Sequence, residues 1–434
     1  MISKSIIILM IVGLVLIITG VFLVMQGTLP PTPTSEKEIK ACKVLIVYAK
    51  ELSSKEQEAL IDVVKAITNY LGGIKGGIKC GIHEFISNET LKIKLPAYPA
   101  IVLSTEYIPP KAKDVFTRIT GNYWLLKPPY LYYLARTAGK ALNMTFTYSS
   151  RAILVNGKLP IAGTTSVEGI KEALKELLTW TSATNVTDIL TASYSKYPNL
   201  PYYPTVVLVP ELHINLSSLS PIVVSVGGNR YVYEPLWFNS NLLPYLSNVS
   251  LGNVVIEIHK EPYGEGPTIG KGNPPLRIVV YEDMNCPYCA RLFSNTIPLV
   301  ILKYVEKGKA LITFKLITVH EESREIHEVL TCYHMVKGNS TGYYRTLLKL
   351  YRLVIEGKSP SLDDFKKFTG IDPKTLTKDC NASLILNKDL EEARSYGIIG
   401  TPAMVLWNKD LGLGLLIIGY VDFDTLEGLI SYVT

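Results

Sequence analysis

The chain has 434 residues, room for two or three domains once an N-terminal apolar run is set aside. Apolar residues make up 47% and charged residues 19%, below the roughly 25% of an average soluble protein, which excludes intrinsic disorder over most of the length. The 44 basic and 38 acidic side chains leave a net charge of +6, too mild and too dispersed for a nucleic-acid partner.

From Ile6 to Met25 the chain carries no charge and only Thr19 as a polar side chain. The run is long enough to span a bilayer at about 20 residues, and longer than the roughly 7 to 15 of a cleaved signal; no Ala-x-Ala site follows. Residues 1–26 are therefore expected to be a transmembrane anchor. Lys4 and the terminal amine precede it, and GTLPPTPTSEKEIK after it has mixed charge, so the expected topology is single-pass in the cell membrane with the later domains extracytoplasmic. Asn-x-Ser/Thr sequons at Asn88, Asn143, Asn185, Asn215, Asn248, Asn339 and Asn381 fit an exported glycoprotein. Pro30, Pro31 and Pro33 make residues 27–41 a stiff stalk.

KVLIVYA (43–49) is an apolar strand signal, and Ser53-x-x-Glu56 is a capping box opening a helix that Gly72-Gly73 closes. AIVLS (100–104) is a second strand. AILVNGKLPIAG is expected to fold at Asn156-Gly157 as a hairpin, and Thr165-x-x-Glu168 to cap a helix through about Leu178. This order is α/β and bounds a domain at residues 42–183. Residues 184–260 read as a separate β-rich segment, with strand signals at TVVLVPE, IVVSVGG, RYVYEP and NVVIEIHK. Residues 261–275, with four Gly and four Pro, have linker composition.

Residues 276–434 repeat the grammar with more specific chemistry. LRIVVYEDMN is a strand, CPYC stands at its end, and the helix that follows has a break signal at Pro298. ALITFKLITV is the next strand, residues of about 320–396 are mostly helical, and Gly400-Thr401-Pro402 precedes the strand AMVLWN, a second strand and a last helix. The strand-to-helix handover puts the sulfur of Cys286 beside unpaired helix N–H groups and the positive end of the helix dipole, which favours thiolate. Cys289, one turn on, can resolve a mixed disulfide, so Cys286-Pro287-Tyr288-Cys289 reads as a thiol-disulfide exchange site. Zinc would need a second ligand pair; Cys332 and Cys380 are single residues 48 apart with only His327 and His334 nearby, so no metal is expected. A purely structural bridge within CPYC would close too small a loop to stabilise much.

With VVYEDMNCPYC, the helical insertion, RSYGIIGTPAMVLWN and the closing strand-turn-strand-helix in view, residues 276–434 resemble the DsbA-like branch of the thioredoxin superfamily. The resemblance implies a thioredoxin-like fold with a helical insertion and no cofactor. It implies Cys286 as the attacking and Cys289 as the resolving thiol, and Thr401-Pro402 as a cis-proline loop that offers backbone edges to a substrate chain. The family commonly has a buried acid six residues before the first cysteine. Here that position is Val280, and Glu282, two residues on and on the same face of the strand, is the candidate substitute in proton transfer.

Aligning VYAKELSSKE with VYEDMNCPYC puts Ser53 at Cys286 and Glu56 at Cys289. Residues 42–183 thus read as a degenerate thioredoxin-like domain without thiols, for binding or spacing. With Ser150-Arg151 before its late hairpin it reads as lacking the cis-proline too; Tyr98-Pro99 and Tyr203-Pro204 before strands are weak echoes. The four other cysteines allow three pairings, of which domain membership selects Cys42 with Cys80 and Cys332 with Cys380. In the family, matching insertion cysteines are often bridged, which supports the second pair. His320 and His327 read as members of a solvated helix face.

These readings converge on a membrane-anchored oxidase or isomerase for exported proteins that carry thiols or disulfides, recycled by a membrane redox partner. The alternative is a non-catalytic cell-surface binding protein with thioredoxin-like domains.

Overall fold

The computed structural model describes residues 42–434 apart from 138, 140–141, 162–169, 212–215, 220–221, 243–253, 379 and 399. The expected anchor and stalk, the sequons at Asn215 and Asn248, and the Thr165/Glu168 cap lie outside the described residues. Among the described residues no helix is long and apolar enough to cross a membrane. The described residues form two compact units, one within 42–154, 170–191 and 206–234, the other within 155–161, 192–205 and 235–434.

The first unit holds two five-stranded sheets. One has β1 (Cys42–Tyr48), β2 (Cys80–Ser87), β3 (Ala100–Ser104), β4 (Phe116–Thr120) and β5 (Tyr123–Leu126) in the order β2-β1-β3-β5-β4. β1 runs parallel to β2 and antiparallel to β3. Its apolar run is continuous because both faces are covered: Val44 and Ile46 join one core with Leu60, Val63 and Leu71 of α1 (Ser54–Gly73), while Leu45 and Val47 join another. The other sheet has β6 (Ser149–Val155), β7 (Asn185–Ala192), β8 (Thr205–Pro210), β9 (Val223–Gly227) and β10 (Arg230–Tyr233) in the order β9-β10-β8-β6-β7, with α2 (Lys171–Ser182) between β6 and β7.

The sheets repeat one plan, in which the strand after a helix and the strand after an X-Pro dipeptide flank the first strand. The dipeptides are Tyr98-Pro99 and Tyr203-Pro204, both cis. They stand in the matching sequences LPAYPAIVL (95–103) and LPYYPTVVL (200–208). Each Tyr hydroxyl closes its own loop: the Leu95 N–H donates to Tyr98 at 3.0 Å and the Leu200 N–H to Tyr203 at 2.9 Å.

Three expectations change here. The first module has its cis-proline, at Pro99 rather than near Ser150, because β3 is the strand beside β1. Residues 184–260 are not a separate β-rich segment: β7 to β10 share a sheet with β6, so a boundary at 183/184 would cut it. No hairpin forms at Asn156-Gly157; β6 ends at Val155, and the Leu159 N–H beyond it, in the second unit, donates to the buried Glu257 at 2.6 Å.

The second unit is built on a seven-stranded sheet. Its strands are β11 (Tyr202–Tyr203), β12 (Val254–Ile258), β13 (Thr268–Ile269), β14 (Leu276–Glu282), β15 (Ala310–Leu316), β16 (Ala403–Asn408) and β17 (Leu413–Ile418), in the order β11-β12-β17-β16-β14-β15-β13. β14 is parallel to β15 and antiparallel to β16. Ile278 and Val280 pack with Leu292 and Phe293 of α3 (Pro287–Asn295), with Leu347 and Leu350 of α4 (Ser340–Ile355), and with Leu426 and Leu429 of α5 (Phe423–Tyr432). Residues 261–275 are an integral edge and not a linker. β13 pairs with β15, and Gly270, at φ +122°, passes so close that a Cβ there would lie 2.7 Å from Leu311. Gly266 and Gly270 serve close approach rather than flexibility. The Tyr263 N–H donates to Glu392, whose carboxylate also takes the Tyr281 hydroxyl at 2.8 Å and the buried Lys315 ammonium, so the segment is tied to the sheet by a fully partnered ionic cluster.

Candidate thiol-disulfide site

The register of β14 with β16 places Tyr281 opposite Ala403, so the loop leaving β14 meets the residues entering β16. That brings Cys286 to Thr401-Pro402, 115 residues away in sequence. The thiol donates to the Thr401 carbonyl at 3.3 Å, and Thr401-Pro402 is cis. Cys286 is the N-cap of α3, with Pro287 at the first helical position, where a missing N–H costs nothing. The Cys289 N–H points at the Cys286 sulfur, 3.4 Å away. Both cysteines are free thiols and buried, whereas the neighbouring Tyr288 ring is 60% exposed.

The hydrogen bond from the Cys289 thiol, with those from the N–H groups of Cys289 and Tyr288, outweighs burial and pulls the Cys286 thiol down to about 6. Burial first, then the neighbouring Cys286 and Glu282, pushes Cys289 far above its ordinary value. The pair is therefore polarised, one sulfur a thiolate at neutral pH and the other a thiol, the division of labour that exchange requires.

Glu282, the last residue of β14, is fully buried. Its Oε2 accepts from the Tyr351 hydroxyl of α4 at 2.5 Å, and its Oε1 has no hydrogen-bond partner among the described residues. Burial raises this carboxyl well above the usual range, with Asp283 and Cys286 adding to the effect. Cys42 is bonded to Cys80 across β1 and β2, and Cys332 to Cys380 in the helical insertion. Among the described residues no group of His, Cys, Asp and Glu could hold a metal ion.

The residues that fix the cysteine loop escaped the sequence reading. Asp283 accepts from the N–H groups of Asn285 at 2.9 Å, Val319 at 2.7 Å and His320 at 2.9 Å, and from the Ser323 hydroxyl at 2.6 Å. His327 is buried, not on a solvated face. Its Nε2 accepts the Met284 N–H at 3.0 Å, and its Nδ1 faces the Thr318 hydroxyl at 3.1 Å. The helix Arg324–Lys337 buries Ile326, Val329 and Leu330, and His327 lies on that face, where burial lowers it to about 4 and keeps it neutral. The Asp-x-x-Cys spacing and the apolar period around His327 were the available signals.

The Ser53/Glu56 alignment also has a structural counterpart. Ser53 is the N-cap of α1, its Oγ accepting from the Glu56 N–H at 3.3 Å, as Cys286 is the N-cap of α3 with its sulfur facing the Cys289 N–H.

Residues 263–412 match the protein-family model described as Thioredoxin, and with the strand order above they form a thioredoxin-like domain. Among solved structures the chain is similar to a variant of Wolbachia pipientis alpha-DsbA1, at 14% identity and a TM-score of 0.34, covering 40% of this chain and 94% of that one. It is similar to BdbD from Bacillus subtilis in its oxidised form, at 22% identity and a TM-score of 0.31, covering 38% and 91%. It is also similar to Chlamydia trachomatis DsbA, at 23% identity and a TM-score of 0.32, covering 40% and 92%. No curated protein matches the chain.

Proposed function

We propose that the protein is a thiol-disulfide oxidoreductase for exported proteins, held at the membrane by residues 1–26 and acting through Cys286 and Cys289. The observation that carries this reading is the polarised pair at the N-terminus of α3, against the Thr401 carbonyl. In the disulfide-donating direction, a substrate thiolate attacks Cys286 of the closed 286/289 bridge. The bond to Cys289 breaks, and the Cys289 sulfur leaves with the electron pair and takes a proton; Glu282 is the group assigned to supply it. A second substrate thiol then attacks the mixed disulfide and releases Cys286 as a thiolate. The Thr401-Pro402 edge holds the substrate backbone, and a membrane redox partner reoxidises the pair. Oxidation and isomerisation share these steps and differ in whether the pair is kept oxidised or reduced. Residues 42–183, read as a degenerate thioredoxin-like domain with Ser53 and Glu56 in place of the two thiols, serve binding or spacing.

The test is turnover of a disulfide-bonded model protein by the full chain. Cys286→Ser is expected to abolish disulfide formation, reduction and reshuffling, and Cys289→Ser to accumulate a mixed disulfide at Cys286. Unchanged turnover in Cys286→Ser would leave the binding-protein alternative.

A further inference from the structure

Glu282 has one oxygen engaged and one not. Oε2 takes the Tyr351 hydroxyl, so the proton of the neutral acid resides on Oε1, the oxygen with no partner among the described residues. Tyr351 is 1% exposed and belongs to α4, in the helical insertion rather than in the thioredoxin-like sheet. Its ring packs on Phe293 of α3 with centroids 4.8 Å apart, and its hydroxyl also lies 3.3 Å from the Asp283 carbonyl. One phenol is thereby braced against the helix that carries both cysteines and aimed at the buried acid beside them.

We propose that Tyr351 is a positioning residue that holds the Glu282 carboxyl in place to exchange a proton with Cys289, so that the helical insertion takes part in the chemistry. This rests on the oxidoreductase reading above. When a substrate thiolate opens the 286/289 bridge, the electron pair leaves on the Cys289 sulfur. The Oε1 proton passes to that sulfur, giving a Cys289 thiol and a Glu282 carboxylate; water later returns the proton. The carboxylate formed is buried, and the Tyr351 hydroxyl is the donor that stabilises it. Tyr351 thus opposes burial, which drives the carboxyl up, and makes Glu282 a better acid than an apolar site would allow. The other titratable groups acting on this carboxyl are Asp283, Cys286, Cys289 and Tyr343, none of which adds a positive charge.

The experiment is single-turnover oxidation of a dithiol peptide by the oxidised full-length protein, followed across pH. Removing a hydrogen bond to a charged group shifts an ionisation by about one to two pH units, so Tyr351→Phe is expected to move the Glu282-dependent midpoint upward by that amount. The Cys286 alkylation midpoint stays where it was. Glu282→Gln removes the titration, and adding Tyr351→Phe to it produces no further shift. An unmoved midpoint in Tyr351→Phe, or a shift that survives in the Glu282→Gln background, overturns the proposal. Absence of any disulfide transfer by the unaltered protein would instead overturn the underlying reading. If Tyr351→Phe does not fold, infrared spectra of the unaltered protein decide. The carboxylic C=O band that Glu282→Gln removes must lie at the lowered frequency of a carbonyl accepting a strong hydrogen bond; a free-carbonyl frequency overturns the proposal.

Discussion

The first module and the C-terminal domain place different side chains at the same two helix positions. In residues 42–126 the N-cap is Ser53 and the residue three on is Glu56, and each side chain satisfies the other's backbone N–H in a reciprocal box. In the C-terminal domain the same positions are Cys286 and Cys289, and the N–H groups that a serine would consume for helix stability face a sulfur and favour its thiolate. The cis-proline loops diverge in parallel. Tyr98 and Tyr203 turn their hydroxyls back into their own loops, whereas Thr401, before Pro402, offers its carbonyl to Cys286. The fold supplies a helix N-terminus and a neighbouring loop; the residue types at a few positions decide whether these stabilise or react.

The comparison breaks most decisively at the thiol. Cys286→Ser, which makes the C-terminal N-cap like the first, is expected to lose all exchange while the chain still folds; far-ultraviolet circular dichroism beside the turnover assay checks both halves. A smaller effect follows from the supports of the cysteine loop. His327 is neutral and buried with a folded value of about 4, below the ordinary 6.5, so the unfolded chain binds the extra proton first. Its contribution is complete above about pH 6.5 and is lost as pH falls toward 4, by at most about 3 kcal/mol. Urea midpoints between about pH 7 and pH 4 should fall accordingly, and His327→Asn should flatten that part of the profile.

In the first module the expected effects are smaller and leave exchange untouched. Tyr98→Phe strips the acceptor from the buried Leu95 N–H and should cost about 1 to 3 kcal/mol, read as a lower denaturation midpoint at constant turnover. Ser53→Ala removes the cap of α1 and should cost about 1 kcal/mol by the same measurement, because at this N-cap the side chain works only for the helix.

Much of this was legible in the sequence because it depends on local signals. The capping box at Ser53 and Glu56, the apolar strands, the handover at CPYC and the break near Pro298, where α3 ends at Asn295, all follow from neighbours within a turn or two. What escaped depends on strand order. Pro99 and Pro204 take their meaning from the strand that pairs beside the first one of each sheet, a long-range fact that no periodicity encodes. Residues 261–275 have the composition of a linker, yet Gly270 is there because β15 passes within contact distance. Asp283, His327 and Tyr351 were hidden for a related reason. Each lies in a segment whose local pattern is ordinary, and each acquires its role from a partner far along the chain: Asp283 from Val319, 36 residues on, His327 from Met284, 43 residues back, and Tyr351 from Glu282, 69 residues back.

The central claim, that the Cys289 thiol and the N-terminus of α3 convert Cys286 into a thiolate at neutral pH, is tested most directly by titrating the reduced full-length protein. Thiolate absorbance, with Cys286→Ser and Cys289→Ser as controls, should show one sulfur ionising at about 6, lost in Cys286→Ser, and no second ionisation below the ordinary thiol range. A single midpoint near the roughly 8.5 of a free cysteine, unchanged by Cys286→Ser, would contradict it.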